Sequence, residues 1–327
     1  MRRFARRDVL RLASSLAAMP FIIECASAQG YPTRPVRVIV AYAPGGVTDV
    51  LTRLIVGKVG EQLGRQFYVE NIPGGSGNIG MGQAAKAAPD GYTILTAFVS
   101  YVVNPALFAK VPYDPVRDFE PIGLAVTSTT VLVVNPQVPA KTVDELVALI
   151  RANPGKYNYA SAGSGTSSHL AGEQLRLSLG LDIVHIPFTG GAPAIASVVA
   201  GHTPIGLVAP NVAIPQIQDG KVHALAVTSA GRAQTLPGVA TLAESGHPGI
   251  EGDSWVGFVA PVGTPKDIVA TLNREIVRIL AQPDMKQRLA TLGFEPVGGT
   301  PDEFAARIKS ELATWSKVIR AAGIKPM

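Results

Sequence analysis

Apolar and polar positions fall into blocks along this chain, and the first block sets the pattern for the rest. Val36 to Tyr42 is a run of β-branched and apolar residues that reads as a buried strand. It breaks at Ala43-Pro44-Gly45-Gly46, where the glycines can reach backbone angles closed to other residues. Apolar residues then return at helical spacing as Val50, Leu54, Val59 and Leu63, and Thr48 or Asp49 is expected to cap that helix.

Later blocks repeat this order. Gln66 to Glu70 and Tyr92 to Ala97 read as strands, with a small-residue helix over Met81 to Ala88 between them. Such βαβαβ units imply a parallel sheet covered by helices, because parallel neighbours need crossovers. Residues 98 to 121 are rich in proline and aromatic residues and are expected to wrap this first lobe. Ile122 to Val134 then holds two apolar runs separated by Thr127-Ser128-Thr129-Thr130, which suits a crossing into a second lobe. Thr142 with Glu145 forms a capping box for a helix to Ile150.

Lys156 to Ala160 and Ile183 to Pro187 are strands, and each runs into a glycine turn that opens a helix. Gly206 to Ala209 and Ala224 to Thr228 add strands to the second lobe, with Pro215 to Gly220 helical or turned between them. Trp255 to Pro261 returns to the first lobe. Three amphipathic helices follow, over Pro265 to Leu280, Asp284 to Leu292 and Pro301 to Ala322, with Thr264 and Thr300 as caps. The expected organisation is lobe 1 over 29–127 and 255–327, lobe 2 over 128–254, and a hinge near 125–131 and 254–258.

A strand, a glycine turn and a helix start aim free backbone N–H groups at one point, and the helix dipole adds positive potential there. Such turns suit an anion, a carboxylate for example. Gly75-x-Gly77-x-x-Gly80 matches the dinucleotide fingerprint, but it follows the second strand rather than the first. The acidic residue expected at the end of the next strand is also absent, since that strand ends Leu95-Thr96-Ala97. Close packing of helix on sheet is the better account of these glycines.

The first 28 residues change the charge picture. Five arginines surround an apolar run from Leu12 to Ile23, and Ala26-Ser27-Ala28 is a small-residue cleavage site. Arg6-Arg7-Asp8-Val9-Leu10 looks like a twin-arginine export signal, with Sec export the alternative. Of 29 basic and 24 acidic residues, the leader holds five arginines, Asp8 and Glu24, which leaves 24 basic and 22 acidic groups, net +2. That balance argues against nucleic acid as a partner. The single cysteine, Cys25, also falls in the leader, and Glu24 before it does not suit lipoprotein cleavage. The mature chain is therefore expected to be periplasmic and soluble, with no disulfide and no thiol chemistry.

No catalytic constellation emerges. A hydrolase elbow needs Gly-x-Ser-x-Gly, and Ala162 stands where the first glycine should precede Ser164. His169 lies five residues on, too local to argue a triad, and a histidine at a helix start is more often structural. The five histidines show no metal-ligand spacing. An exported hydrolase using Ser164 and His169 stays as the alternative reading, and a ligand sensor as another.

In chain order, Ala-Pro-Gly-Gly-Val-Thr-Asp (43–49), Asn-Ile-Pro-Gly-Gly-Ser-Gly-Asn-Ile-Gly (71–80), Pro-Asp-Gly-Tyr-Thr-Ile-Leu (89–95), Gly-Ser-Gly-Thr-Ser-Ser-His (163–169), Trp-Val-Gly-Phe-Val-Ala-Pro (255–261) and Gly-Thr-Pro (263–265) form a specific set. With these motifs the chain resembles the substrate-binding receptors of tripartite tricarboxylate transporters, also called Bug receptors. The resemblance implies an α/β, two-lobed periplasmic binding protein, type II-like, with mainly parallel sheets covered by helices and two hinge strands. It implies a monomer that clamps a small carboxylate and meets membrane permease subunits, with no cofactor or metal.

The resemblance also implies that backbone amides, hydroxyls and ordered water hold the carboxylate in place of an arginine. Carried over by residue, Tyr42, Gly45, Gly46, Val47, Thr48 and Asp49 face the ligand or cap its turn. Ser164, Gly165, Thr166 and His169 come from the second lobe, Thr189, Gly190 and Ala192 from the next turn, and Ser100 from the loop after the third strand. Phe188 stands where relatives often carry tyrosine, and Val208-Ala209-Pro210 where they commonly carry an acidic or polar residue. Both departures favour an aromatic or other hydrophobic acid over an amino acid.

Overall fold

In the computed structural model, which describes residues 30–321 and 323, the apolar blocks become strands of two separate sheets. The leader, its cleavage site, Cys25 and Ala322 lie outside the described residues. Gly30 to Thr33 carry no helix or strand, and every element lies in the unit that begins at Arg34.

The first sheet contains β1 (Val36–Val40), β2 (Phe67–Asn71), β3 (Thr93–Phe98), β4 (Phe119–Ser128), β10 (Ser254–Pro261) and β11 (Glu295–Pro296), in the order β11-β4-β10-β3-β1-β2. The second contains β5 (Val131–Val134), β6 (Tyr157–Ser161), β7 (Ile183–Pro187), β8 (Ile205–Val208) and β9 (His223–Val227), in the order β7-β6-β8-β5-β9. This is the expected two-lobed α/β architecture, with one departure: the sheets are mixed rather than mainly parallel. β1 runs parallel to β2 and β3, whereas β10 runs antiparallel to both β3 and β4. In the second sheet β6 pairs parallel with β7 and β8, and β5 antiparallel with β8 and β9. Helical crossovers generate the parallel pairs. A chain that leaves one sheet for the other and comes back enters in the reverse sense, which is the path of β5 and β10.

Helices cover the sheets: α1 (Val47–Leu63), α2 (Asn78–Ala85), α3 (Ser100–Leu107), α4 (Val143–Ala152), α5 (Ser167–Leu179), α6 (Gly191–Val199), α7 (Pro210–Gln218), α8 (Lys266–Leu280), α9 (Pro283–Thr291) and α10 (Pro301–Ala321). Several starts differ from the sequence pattern. α7 begins at Pro210 rather than near Pro215, since proline's missing N–H costs nothing in a first turn. α3 occupies a segment expected to be a loop. Thr142 accepts from Glu145 N at 3.1 Å and Thr300 exchanges bonds with Glu303, so those caps form. Thr264 does not cap α8; its hydroxyl donates to Pro261 O.

The glycines of the false fingerprint pack helix on strand. A Cβ at Gly80 would lie 2.8 Å from Ile72 O and 2.9 Å from Ala41 Cα, so only glycine lets α2 approach β1 this closely. The chain crosses between sheets twice, from Ser128 to Val131 and from Val227 to Ser254. Threonines join the two crossings: Thr130 N donates to Thr228 Oγ1 at 3.0 Å, Thr228 N to Thr129 Oγ1 at 3.1 Å, and Thr130 Oγ1 to Gly252 O at 3.0 Å.

The C-terminal helix seals the first sheet. Trp255 on central β10 is fully buried, stands edge-on to Phe304 of α10, and donates to Glu311 at 2.8 Å. Gly257, two residues on along the same face of β10, lies directly under Phe304, where a Cβ would strike the ring and come within 3.0 Å of Gly123 O. Gly257→Ala is therefore expected to destabilise by about 2 kcal/mol through overpacking. Thermal unfolding checks this: the midpoint should fall by about 4 °C.

Candidate functional site

The turn after β1 is held from inside its helix. Gly46, not Thr48 or Asp49, is the N-cap of α1, and it caps without a side chain. Asp49 sits in the first turn, 3 % exposed, and accepts from Gly45 N at 2.9 Å, from Arg53 Nε at 3.0 Å and from Asn71 Nδ2 at 2.9 Å. Burial pushes its carboxyl up, but the bonds from Arg53, Gly45 and Asn71 outweigh that and hold it below the usual carboxylate range. Asp49 therefore shapes the turn while Gly45, Gly46 and Val47 stay exposed on its outer side. Thr48 is buried. Tyr42 hydrogen-bonds Ser100 at the start of α3 and stands edge-on to Phe98, and burial raises its hydroxyl to about 12.

The turn after β6 is organised the same way. Thr166 caps α5, accepting from His169 N and donating to Gly163 O at 2.6 Å, and Ser168 accepts from Ala162 N at 3.0 Å. His169 is turned inward and is 9 % exposed; its Nδ1 accepts from Gly165 N at 3.0 Å, as Asp49 does from Gly45. Its ring stacks on His185 at 4.0 Å, and His185 Nε2 lies 2.6 Å from Ser161 Oγ at the end of β6. Burial lowers both imidazoles, and proximity to His169 helps bring His185 down to about 4. His169 and His185 thus support the turn from behind.

Between the sheets lies a cavity of about 280 Å³. Four helix starts reach it: Val47 of α1, Thr166 and Ser167 of α5, Gly191 of α6, and Ala209 with Asn211 of α7. Hydroxyls of the crossing, Ser128, Thr129 and Thr130, form another side with Ser254. Phe98, Val212, Leu292 and Phe294 supply an apolar wall. Among the described residues no lysine, arginine, histidine, aspartate or glutamate lines it, and no Asp, Glu, Lys or Arg occurs in the sequence from Ile183 to Gln218. Each helix start offers amides with no intrahelical partner and the positive end of a dipole. Chemically, such an arrangement is suited to an anion at its amides and hydroxyls and to an apolar body against its wall.

Among the residues expected from the sequence, Val47 and Thr166 line the cavity, and Gly45, Gly46, Ser164, Gly165, Thr189 and Gly190 belong to the turns around it. Ala192 instead lines a separate open groove between α6 and α7. Of the two departures, Val208 is fully buried and cannot meet a ligand, whereas Ala209 and exposed Asn211 face the cavity. The Ser-Thr-Thr interruption of a buried run was visible as a signal for the crossing hydroxyls. Leu292 and Phe294 carried none, because they read as ordinary core positions at a helix end.

Two outcomes test the supports. Asp49→Ala leaves Gly45 N and Arg53 Nε without their acceptor and Asn71 Nδ2 with Tyr42 O alone, and it is expected to cost about 3 kcal/mol, read as a drop of several degrees in unfolding midpoint. The histidine pair gives a pH dependence. Its folded-state values lie below the unfolded value of about 6.5, so its contribution is complete above that pH and declines as pH falls from about 6.5 towards 4. The midpoint of His185→Gln should accordingly fall less over that window than the wild type's.

The chain matches known proteins over nearly all of its described length. The model of the tripartite tricarboxylate transporter family receptor matches residues 51–324. The UPF0065 protein in the tcbD-tcbE intergenic region of Pseudomonas sp. strain P51 is 40 % identical over 290 residues, which are 88 % of this chain and 86 % of that protein. The solved structure of R. palustris Rpa4515 with adipate is 33 % identical, with a TM-score of 0.74, over 91 % of this chain and 100 % of that one. MatC (Rpa3494) from Rhodopseudomonas palustris, with bound malate, is also 33 % identical, with a TM-score of 0.70, over 88 % and 100 %. The chain belongs to the tripartite tricarboxylate transporter receptor family.

Proposed function

We propose that this protein captures a small organic carboxylate in the cavity between its lobes and delivers it to the membrane permease of a tripartite transporter. The observation that carries this reading is the convergence of four helix starts on a cavity without a charged side chain. The amides of Val47 and its neighbours and the hydroxyls of Ser167 and Ser168 would hold the carboxylate, with water filling the remaining bonds, while Thr166 and Thr130 spend their protons on Gly163 O and Gly252 O and hold the turn and the crossing in shape. Gly45, Gly46, Ser164, Gly165, Thr189 and Gly190 give these turns their shape, and Tyr42, Asp49, Ser100 and His169 position them.

Relatives of equal identity hold adipate in one case and malate in the other. Family membership therefore leaves the acid open, and the wall of Phe98, Val212, Leu292 and Phe294 favours one with an apolar body. On this reading the lobes are 29–127 with 255–327 and 128–254, and the threonine-joined crossings would act as the hinge. A ligand that touches both lobes only in the closed form shifts the equilibrium towards closure, and the permease reads that form. Export through the leader places the protein in the periplasm. Binding rather than hydrolysis is supported by His169, whose Nδ1 is committed to Gly165 N.

Thermal unfolding of the ligand-free mature protein against adipate, malate, benzoate and aspartate tests the reading. An acid at 100 times its Kd should stabilise by about 2.7 kcal/mol, a shift of about 5 °C. Adipate or benzoate is expected to shift the midpoint more than aspartate. No shift with any acid would count against a carboxylate receptor, and an equal response to aspartate against the apolar wall as selector.

A further inference from the structure

The short stretch from Leu292 to Glu295 touches the second lobe at two points and lines the cavity between the lobes, although it belongs to the first by sheet pairing. Glu295 and Pro296 pair with Thr127 and Val126 of β4. Immediately before them, Leu292 and Phe294 line the cavity. Between these two, Gly293 lies against the start of α7: a Cβ there would come 3.1 Å from Asn211 Cβ and 3.2 Å from Asn211 N. Immediately after them, Glu295 Oε1 accepts from Gln234 N at 2.5 Å. Gln234 is itself anchored in the second lobe, since neighbouring Ala233 and Leu236 pack in the same core cluster as Val131, Val133 and Val227.

From these contacts we infer that Leu292–Glu295 is an inter-lobe strap, which completes the cavity wall and fixes how closely the lobes approach around a bound acid. The inference rests on the receptor reading for its ligand, but not for its geometry. Gly293 is the contact that sets the limit. Its φ of +78° favours glycine, and a Cβ there would sit tight against both the Cβ and the backbone N of Asn211, the second residue of α7. A side chain at 293 needs Asn211 to give by a few tenths of an ångström, which eases the strap off α7 and loosens the approach of the lobes. Glu295 supplies the complementary attraction, tying the strap to a backbone N–H of the opposite lobe. Because Leu292 and Phe294 ride on the same four residues, the apolar wall meets the ligand only when the strap is seated. This makes the strap a positioning element for selectivity as well as closure.

Gly298 provides a matched control. Its φ is +72°, yet a Cβ there meets only Val277, at 3.6 Å, an ordinary contact. Gly298→Ala therefore carries the same backbone strain without the tight inter-lobe contact. The experiment compares the full mature protein with Gly293→Ala, Gly298→Ala and Glu295→Ala by calorimetric titration with adipate, malate and benzoate. Small-angle scattering with and without each acid and hydrogen exchange across residues 230–236 complete it.

Gly293→Ala is expected to weaken whichever of these acids the wild type binds by at least tenfold, while Gly298→Ala stays within twofold. The radius of gyration of Gly293→Ala should exceed that of both wild type and Gly298→Ala. Glu295→Ala should speed exchange at the Gln234 amide severalfold. Equal affinities and equal dimensions for the two glycine variants, or unchanged exchange in Glu295→Ala, would overturn the strap. If the wild type binds none of the three acids, the receptor reading fails on these probes, and the scattering and exchange measurements still decide the strap.

Discussion

Helix starts carry backbone amides that no residue of the same helix can satisfy, and in this protein four of them face one cavity. That constraint organises the rest. Each of these helices follows a strand of one of the two sheets, so the cavity lies where the carboxyl ends of β1, β6, β7 and β8 meet. Among the described residues no basic side chain lines the cavity, so the helix starts are its source of positive potential. A cavity without an arginine avoids an uncompensated buried charge when it is empty.

The turns then have to be rigid without help from the ligand. Two unrelated side chains solve this in the same way: Asp49 and His169 each reach back from the first turn of a helix and accept a hydrogen bond from a glycine N–H four residues earlier. One acceptor is a carboxylate neutralised by Arg53 and the other a buried imidazole stacked on His185. Because acceptance by His169 Nδ1 requires that nitrogen to be unprotonated, the second turn is the more sensitive of the two to mild acid. The crossings between lobes use hydroxyls to a different end: threonines join two passing segments and line the cavity, so any relative motion of the lobes is felt at the cavity.

Much of this was legible in the chain. Strand, glycine turn and helix start follow each other within about fifteen residues, and local backbone preferences together with apolar periodicity specify them without reference to anything distant. Hence Val36–Val40, Tyr157–Ser161 and Ile183–Pro187, with the anion-friendly turns behind them, match their expected places. The true roles of Asp49 and His169 were half visible, as polar residues at helix starts. That they bond backward to Gly45 and Gly165 depends on turn geometry that periodicity does not encode.

What only the tertiary structure decided are the contacts between residues far apart in sequence. β10 inserts between β3 and β4 and runs against both, which makes the first sheet mixed; its apolar run is the same whichever direction it takes. Gly293 meets Asn211 across 82 positions, and Glu295 meets Gln234 across 61. Leu292 and Phe294 look like core residues because apolar side chains next to a helix end are equally suited to a core or to a cavity wall. The chain by itself determined the glycine turns and the helix starts, since their physics is local. Which side chains line the cavity between them was decided by folding, because only folding brings the two lobes together.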